Sequence, residues 1–208
     1  LALSPPLEME IAILLFEAFD ELDAIGPYEV FGNAAAFGAD LTVSLCTLRR
    51  TESVTADHGL RVEPDATLDE LAPDLVVVPG GGWNRGGGTG VRAAAERGEI
   101  PAAVASIAES GATVASVCTG GMLLARAGLL DGRPATTHRG ALSDLRETDA
   151  VVIDARVVDD DDVLTAGGVT SGLDLACHVV DREFGADVAE RVCTEMEYDR
   201  SADVYVSE

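Results

Sequence analysis

The chain has 208 residues, 47% of them hydrophobic and only 4% aromatic, enough for one full core built from Ala, Val, Leu and Ile. Its 37 acidic residues outnumber 14 basic ones, all of them Arg, for a net charge of −23. Such a surface repels nucleic-acid phosphates and anionic lipid, and no apolar run is long enough to span a bilayer, so neither nucleic acid nor membrane is expected as a partner.

In chain order, the start LALSPPLEME lacks a basic segment and reads as a terminal arm (residues 1–9) rather than a signal peptide. MEIAILLF (9–16) is a buried parallel strand. DELDAIGPYEVFGNAAAFG (20–38) is a helix turning Leu22, Ile25, Val30 and Phe31 toward the sheet, with Pro27 kinking it or marking a late first turn. DLTVSLCTL is the next strand, and SVTADHGLRVEPD is a β-excursion turning near His58–Gly59. PDLVVVPGGG (73–82) is a second buried strand running into glycines, followed by one or two helices broken before Pro101. RPATTH is a short strand and GALSDLRE a short helix. AVVIDARVVDDDDVLTAGG (150–168) reads as two strands around a solvated acidic turn, Asp159–Asp162, before two closing helices and a second arm, 199–208. Alternating strands and helices without a repeat or linker predict one α/β sandwich over 10–198 with a mostly parallel sheet.

The four cysteines show no CxxC pair and no metal-ligand spacing, so no metal is expected. With no export signal the expected compartment is the cytoplasm, and the acidic, lysine-free surface suits a salty one. Cys46, Cys177 and Cys193 lie in apolar or helical patterns and read as small buried hydrophobes. Cys118 differs: it ends an apolar run (Thr113–Val117), precedes the small residues Thr119–Gly120–Gly121, and leads into a helical pattern, Met122–Ala127. Ligands bind at the carboxyl ends of strands in such sheets, where Gly80–Gly82, Cys118–Gly121 and Gly167–Gly168 all fall. A sharp elbow there would put the thiol against the first amides of a helix, which lower a thiol pKa and hold an oxyanion. Position, turn and helix start therefore favour a nucleophile over a packing residue.

Of the histidines, His58 reads as a solvated turn residue, His178 as a satisfied interior or interface one, and His138 as either a site neighbour or a strand-end residue. GGGWNRGGGTG lacks the Lys and the GKS/T ending of a phosphate loop and reads as a flexible rim, with Trp83 a possible pocket wall beside Gly82.

The segments LDAIGPYEVF, PDLVVVPGG, SVCTGG, GLLDGRPATTH and LTAGGVTSGLDLA together resemble the ThiJ/PfpI superfamily, in its order, from residue 10 to about 198. Within it the chain is most similar to the isonitrile (isocyanide) hydratase branch, with Asp rather than Glu at position 23 and Thr rather than His at 119. The resemblance implies a three-layer sandwich, flavodoxin-like and class I glutamine-amidotransferase-like, acting without a cofactor on a small-molecule substrate as a homodimer. It also implies Cys118 as nucleophile, Asp23 as the carboxylate that shuttles a proton, and the amides of Gly81 and Thr119 as oxyanion-hole donors. The Thr119 hydroxyl lies near that site and His138 near the cysteine. The branch carries Trp after the histidine, where this chain has Arg139, and the C-terminal MEYDRSADVY departs from the proline-rich pattern of relatives. The activity implied is hydration of an isonitrile to an N-substituted formamide. Glyoxalase, deglycase or amidase-type chemistry is the alternative within the superfamily, and a ligand or peroxide sensor the alternative outside catalysis.

Overall fold

The computed structural model describes residues 8–85 and 88–207. Residues 1–7 of the expected N-terminal arm and 86–87 of the glycine-rich rim lie outside the described residues. The core is an eight-stranded sheet. Its strands in spatial order are β12 (Val204–Val206), β10 (Val157–Asp160), β11 (Val163–Ala166), β7 (Thr113–Ser116), β6 (Leu75–Val78), β1 (Met9–Leu14), β2 (Leu41–Thr47) and β5 (Ala66–Thr67). Only the β10–β11 pair is antiparallel. The inner strands β1 and β6 have both faces covered, and their runs Ile11–Leu14 and Val76–Val78 have no exposed surface.

Two helix groups flank the sheet. One comprises α1 (Glu21–Ala36), α6 (Ser171–Phe184) and α7 (Ala186–Glu195). The other comprises α2 (Gly90–Arg97), α3 (Glu99–Glu109) and α4 (Gly121–Arg126). Asp20 caps α1, its Oδ1 accepting the Leu22 N–H at 3.2 Å. The helix runs through Pro27, which sits on the buried face with Asp23, Val30, Phe31 and Ala34. That register corrects one expectation: Leu22, expected to face the sheet, is 38% exposed. The break between α2 and α3 falls at Gly98, whose φ of +77° suits glycine, and not directly before Pro101. Pro101 instead occupies the first turn of α3, where its missing N–H has no helical partner to lose.

The excursion after β2 is a hairpin, β3 (Val54–Thr55) with β4 (Arg61–Val62). RPATTH contributes β8 (Pro134–Ala135), which pairs outside the main sheet with β9 (Val151–Val152), and GALSDLRE contributes α5 (Leu142–Leu145). The 150–168 segment thus holds three strands rather than two, because β9 ends before the β10–β11 hairpin begins. Two further expectations change. Val204–Val206, read as part of an arm, extends the sheet by pairing with β10. The acidic turn is only partly solvated: Asp159 is buried, with His178 Nε2 at 2.7 Å and Arg182 donating at 3.2 Å, while Arg133 pairs with Asp160 and Asp162. His178 is satisfied by that contact, and the exposed His58 meets Glu21 at 2.7 Å.

Candidate active site

The order β11–β7–β6–β1 lines up four carboxyl ends on one edge, and the candidate residues follow from these ends. Cys118 comes two residues after β7 and opens a tight 3-10 turn, Cys118–Gly120, that leads into α4. Its φ is +57°, a left-handed conformation that costs a non-glycine residue about 1–3 kcal/mol and persists only where neighbours over-determine it. They do so here. The Cys118 N–H donates to the Gly167 carbonyl at 2.8 Å, and the Cys118 carbonyl accepts the Thr137 hydroxyl at 2.8 Å and the His138 N–H at 3.3 Å. The turn needs small residues for a steric reason, since a Cβ on Gly120 would lie 2.2 Å from the Val78 carbonyl oxygen. This is the strand–elbow–helix geometry that presents a nucleophile.

Asp23, two residues into α1, is fully buried and reaches this elbow. Its Oδ2 accepts the Gly80 N–H at 2.9 Å, its Oδ1 has no hydrogen-bond partner among the described residues, and the carboxyl interacts with the Cys118 thiol. Burial, helped by the charge of Asp20, pushes the Asp23 carboxyl from 3.8 up to about 8, against the Gly80 and Cys118 contacts that favour ionisation. At neutral pH it is an acid holding its proton beside sulfur.

The thiol corrects the helix-dipole expectation. Burial, and next the charge of Asp23, push Cys118 up to about 12, although the amides of Val169 and Thr119 point at the sulfur and oppose the shift. The physical reason is burial: Cys118 is only 6% exposed, and desolvation of its thiolate outweighs the amides that face it.

The amides of Gly81 and Thr119, expected as oxyanion-hole donors, both lie at the elbow. The Gly81 N–H donates to Thr119 Oγ1 at 3.0 Å, so it polarises the hydroxyl instead of standing free. The Thr119 N–H points at the cysteine sulfur together with that of Val169, a donor the sequence reading missed. Gly80, expected only as part of the Gly80–Gly82 cluster, has a specific place. A Cβ there would fall 2.6 Å from Thr119 N and 2.8 Å from Asp23 Oδ2, so this glycine lets the two site elements meet. The glycine clusters after β6 and β11 were the signals for both.

His138 joins the elbow through its backbone. Its Nδ1 accepts the Gly140 N–H at 2.9 Å, leaving the ring proton on Nε2, and the ring stacks so closely on Gly168 that a Cβ there would lie 2.8 Å away. Gly82 turns the rim, with φ of +74°, against Gly90. Trp83 is buried: its Nε1 donates to Asp144 at 2.5 Å and the Arg92 guanidinium lies 4.3 Å over its ring. Beside the elbow lies a cavity of about 220 Å³ lined by Thr137, Arg139, Gly167, Gly168 and Ser171 among others. No cluster of three or more metal-ligating side chains occurs among the described residues, and no helix among them is long and apolar enough to cross a membrane.

Comparison with known proteins agrees with this geometry. The sequence profile of the DJ-1/PfpI family matches residues 9–182. The chain is 35% identical over 192 residues to an isonitrile hydratase of Pseudomonas putida, covering 91% of this chain and 78% of that protein. It is 30% identical over 159 residues to a deglycase of Pyrococcus horikoshii, covering 73% of this chain and 86% of that one. The crystal structure of a THiJ/PfpI family protein from Pseudomonas syringae superposes with a TM-score of 0.82 at 30% identity, covering 93% of this chain and 76% of that one.

Proposed function

The chain belongs to the DJ-1/PfpI family, and from that premise we propose that it is a cysteine-nucleophile enzyme that hydrates an isonitrile to an N-substituted formamide. The observation carrying this reading is the fully buried Asp23 carboxyl, its Oδ1 without a partner among the described residues, set against the Cys118 thiol at a strained elbow. A thiol held above the ordinary range needs a proton acceptor as it attacks, and an isonitrile carbon needs a proton as it is attacked. One Asp–Cys pair meets both needs. The sulfur adds to the terminal carbon while Asp23 gives its proton to that carbon and receives the thiol proton. The product is a thioimidate. Water then adds to the same carbon with one proton passing to nitrogen, the C–S bond breaks, and the returning proton restores the thiol. The sum is one isonitrile plus one water to one formamide. The Thr119 hydroxyl, polarised by the Gly81 N–H, stabilises the oxygen that develops in the second step. A homodimer, the commonest closed assembly, is proposed as the working form.

The similarity to a deglycase favours α-oxoaldehyde chemistry as the second reading, with Cys118 in the same role. Incubating the purified chain in molar salt with alkyl and aryl isonitriles, and separately with methylglyoxal, tests both. Formamide produced by wild type and lost in Cys118→Ala is the expected result. No formamide, with Cys118-dependent removal of methylglyoxal, overturns the hydratase reading and leaves the elbow in place.

A further inference from the structure

The mechanism uses one cysteine of four, and two of the others meet elsewhere. Cys177 on α6 and Cys193 on α7 stand with their sulfurs 3.6 Å apart, both as free thiols. The two helices are consecutive, joined at Gly185, and pack side by side. Cys177 is fully buried and Cys193 is half-buried, so Cys193 is the residue of the pair nearer to solvent. Arg200, ion-paired to Asp181 at 2.7 Å, places a cation whose field reaches both sulfurs. Burial first, and the neighbouring Cys193 second, push the Cys177 thiol well above its ordinary range, so Cys193 is the member that meets an oxidant.

We infer that Cys177 and Cys193 form an oxidative modification site, converted by hydrogen peroxide into an intramolecular disulfide that staples α6 to α7. The chemistry balances in two steps. The Cys193 sulfur attacks the peroxide, an S–O bond forms as the O–O bond breaks, and one water leaves, giving a sulfenic acid. The Cys177 sulfur then attacks Cys193, the S–S bond forms as the S–O bond breaks, and the Cys177 proton leaves with the hydroxide as a second water. The Arg200 cation favours the developing thiolate in this step. Two thiols and one peroxide thus give one disulfide and two waters. The sulfurs need move together by less than about 2 Å, within the freedom of two side chains.

The inference does not depend on the substrate assignment, and the full-length Cys118→Ala chain tests it with the elbow thiol removed. That protein is treated with hydrogen peroxide in molar salt, quenched with N-ethylmaleimide, and mapped by mass spectrometry without reduction. The expected product is a chain lighter by two hydrogens with the Cys177 and Cys193 peptides joined. Its melting temperature rises by roughly 5–10 °C, as expected for closing a loop of about 15 residues, and dithiothreitol reverses both changes. Cys193→Ser in the same background abolishes the cross-link and the rise. Cys193 over-oxidised to sulfinic acid with Cys177 still free, a cross-link only between chains, or a rise that survives Cys193→Ser would each overturn the inference.

Discussion

Replacing Asp23 by Asn tests the feature on which the proposed chemistry turns. The side chain keeps its shape, and its carbonyl oxygen still accepts the Gly80 N–H, but the titrating proton is gone. In the folded chain the carboxyl loses its proton near 8, against 3.8 for the free group. A folded-state pKa raised above the unfolded value gives stability that is full below about 4 and is lost as pH rises through the folded value. Between these limits folding takes up one proton, and the wild type loses about 1.4 kcal/mol of stability per pH unit relative to the Asn variant. From pH 6 to pH 8 the difference comes to about 2–3 kcal/mol, with the variant gaining on the wild type. The subtraction cancels the other carboxylates, and the full burial of Asp23 removes any discount for solvent screening. Because Asp23 and Cys118 interact, the proton released belongs to the pair, and the variant reports on that pair. Urea unfolding of both proteins at fixed molar salt, at half-unit steps from pH 5 to 9, measures the difference. Parallel stability curves would show that the carboxyl is ionised throughout and would refute the neutral-acid mechanism.

Three further outcomes are expected. Gly80→Ala drives a methyl group into Thr119 N and Asp23 Oδ2, so turnover falls at least tenfold and stability drops by about 1–3 kcal/mol with the circular dichroism spectrum retained; wild-type turnover would show that the two site elements need not meet there. The ionised Asp23 is one cause of the raised Cys118 thiol, so iodoacetamide at pH 9 modifies Cys118 faster in Asp23→Asn than in wild type; equal rates by mass spectrometry would remove that coupling. With 37 acidic residues against 14 basic, melting temperature falls steadily as salt is withdrawn, and a flat series by circular dichroism would end the case for a salt-dependent fold.

The sandwich was legible because its determinants are local. Runs such as VVV before Pro79 and ATVASV before Cys118 can only be strands covered on both faces, and small residues after Cys118 demand a tight turn. Direction was harder to read where two patterns overlap. On α1, Leu22 and Asp23 are neighbours, and hydrophobicity alone sends Leu22 inward; the structure buries the acid because its carboxyl has a partner at Gly80, 57 residues away. The thiol pKa went the other way from expectation because sequence shows where a helix begins, not how deeply the sulfur sits. VYV near the C-terminus is too short to announce a strand without β10 beside it. The Gly81–Thr119 bond and the Trp83–Asp144 contact join loops distant in the chain, and no periodicity encodes them.

The four carboxyl ends that meet at the elbow belong to strands from opposite halves of the chain: β1, β6, β7 and β11. Asp23 is in place only when β1 lies beside β6, and the Cys118 backbone is pinned only when β11, completed at Ala166, lies beside β7. Contacts of such long sequence separation form slowly and late in folding. During synthesis the thiol therefore emerges well before its restraints. It becomes a strained, acid-paired group only when the central sheet closes, so a partly made chain carries an ordinary cysteine, and reactivity at Cys118 serves as a clock for completion of the fold.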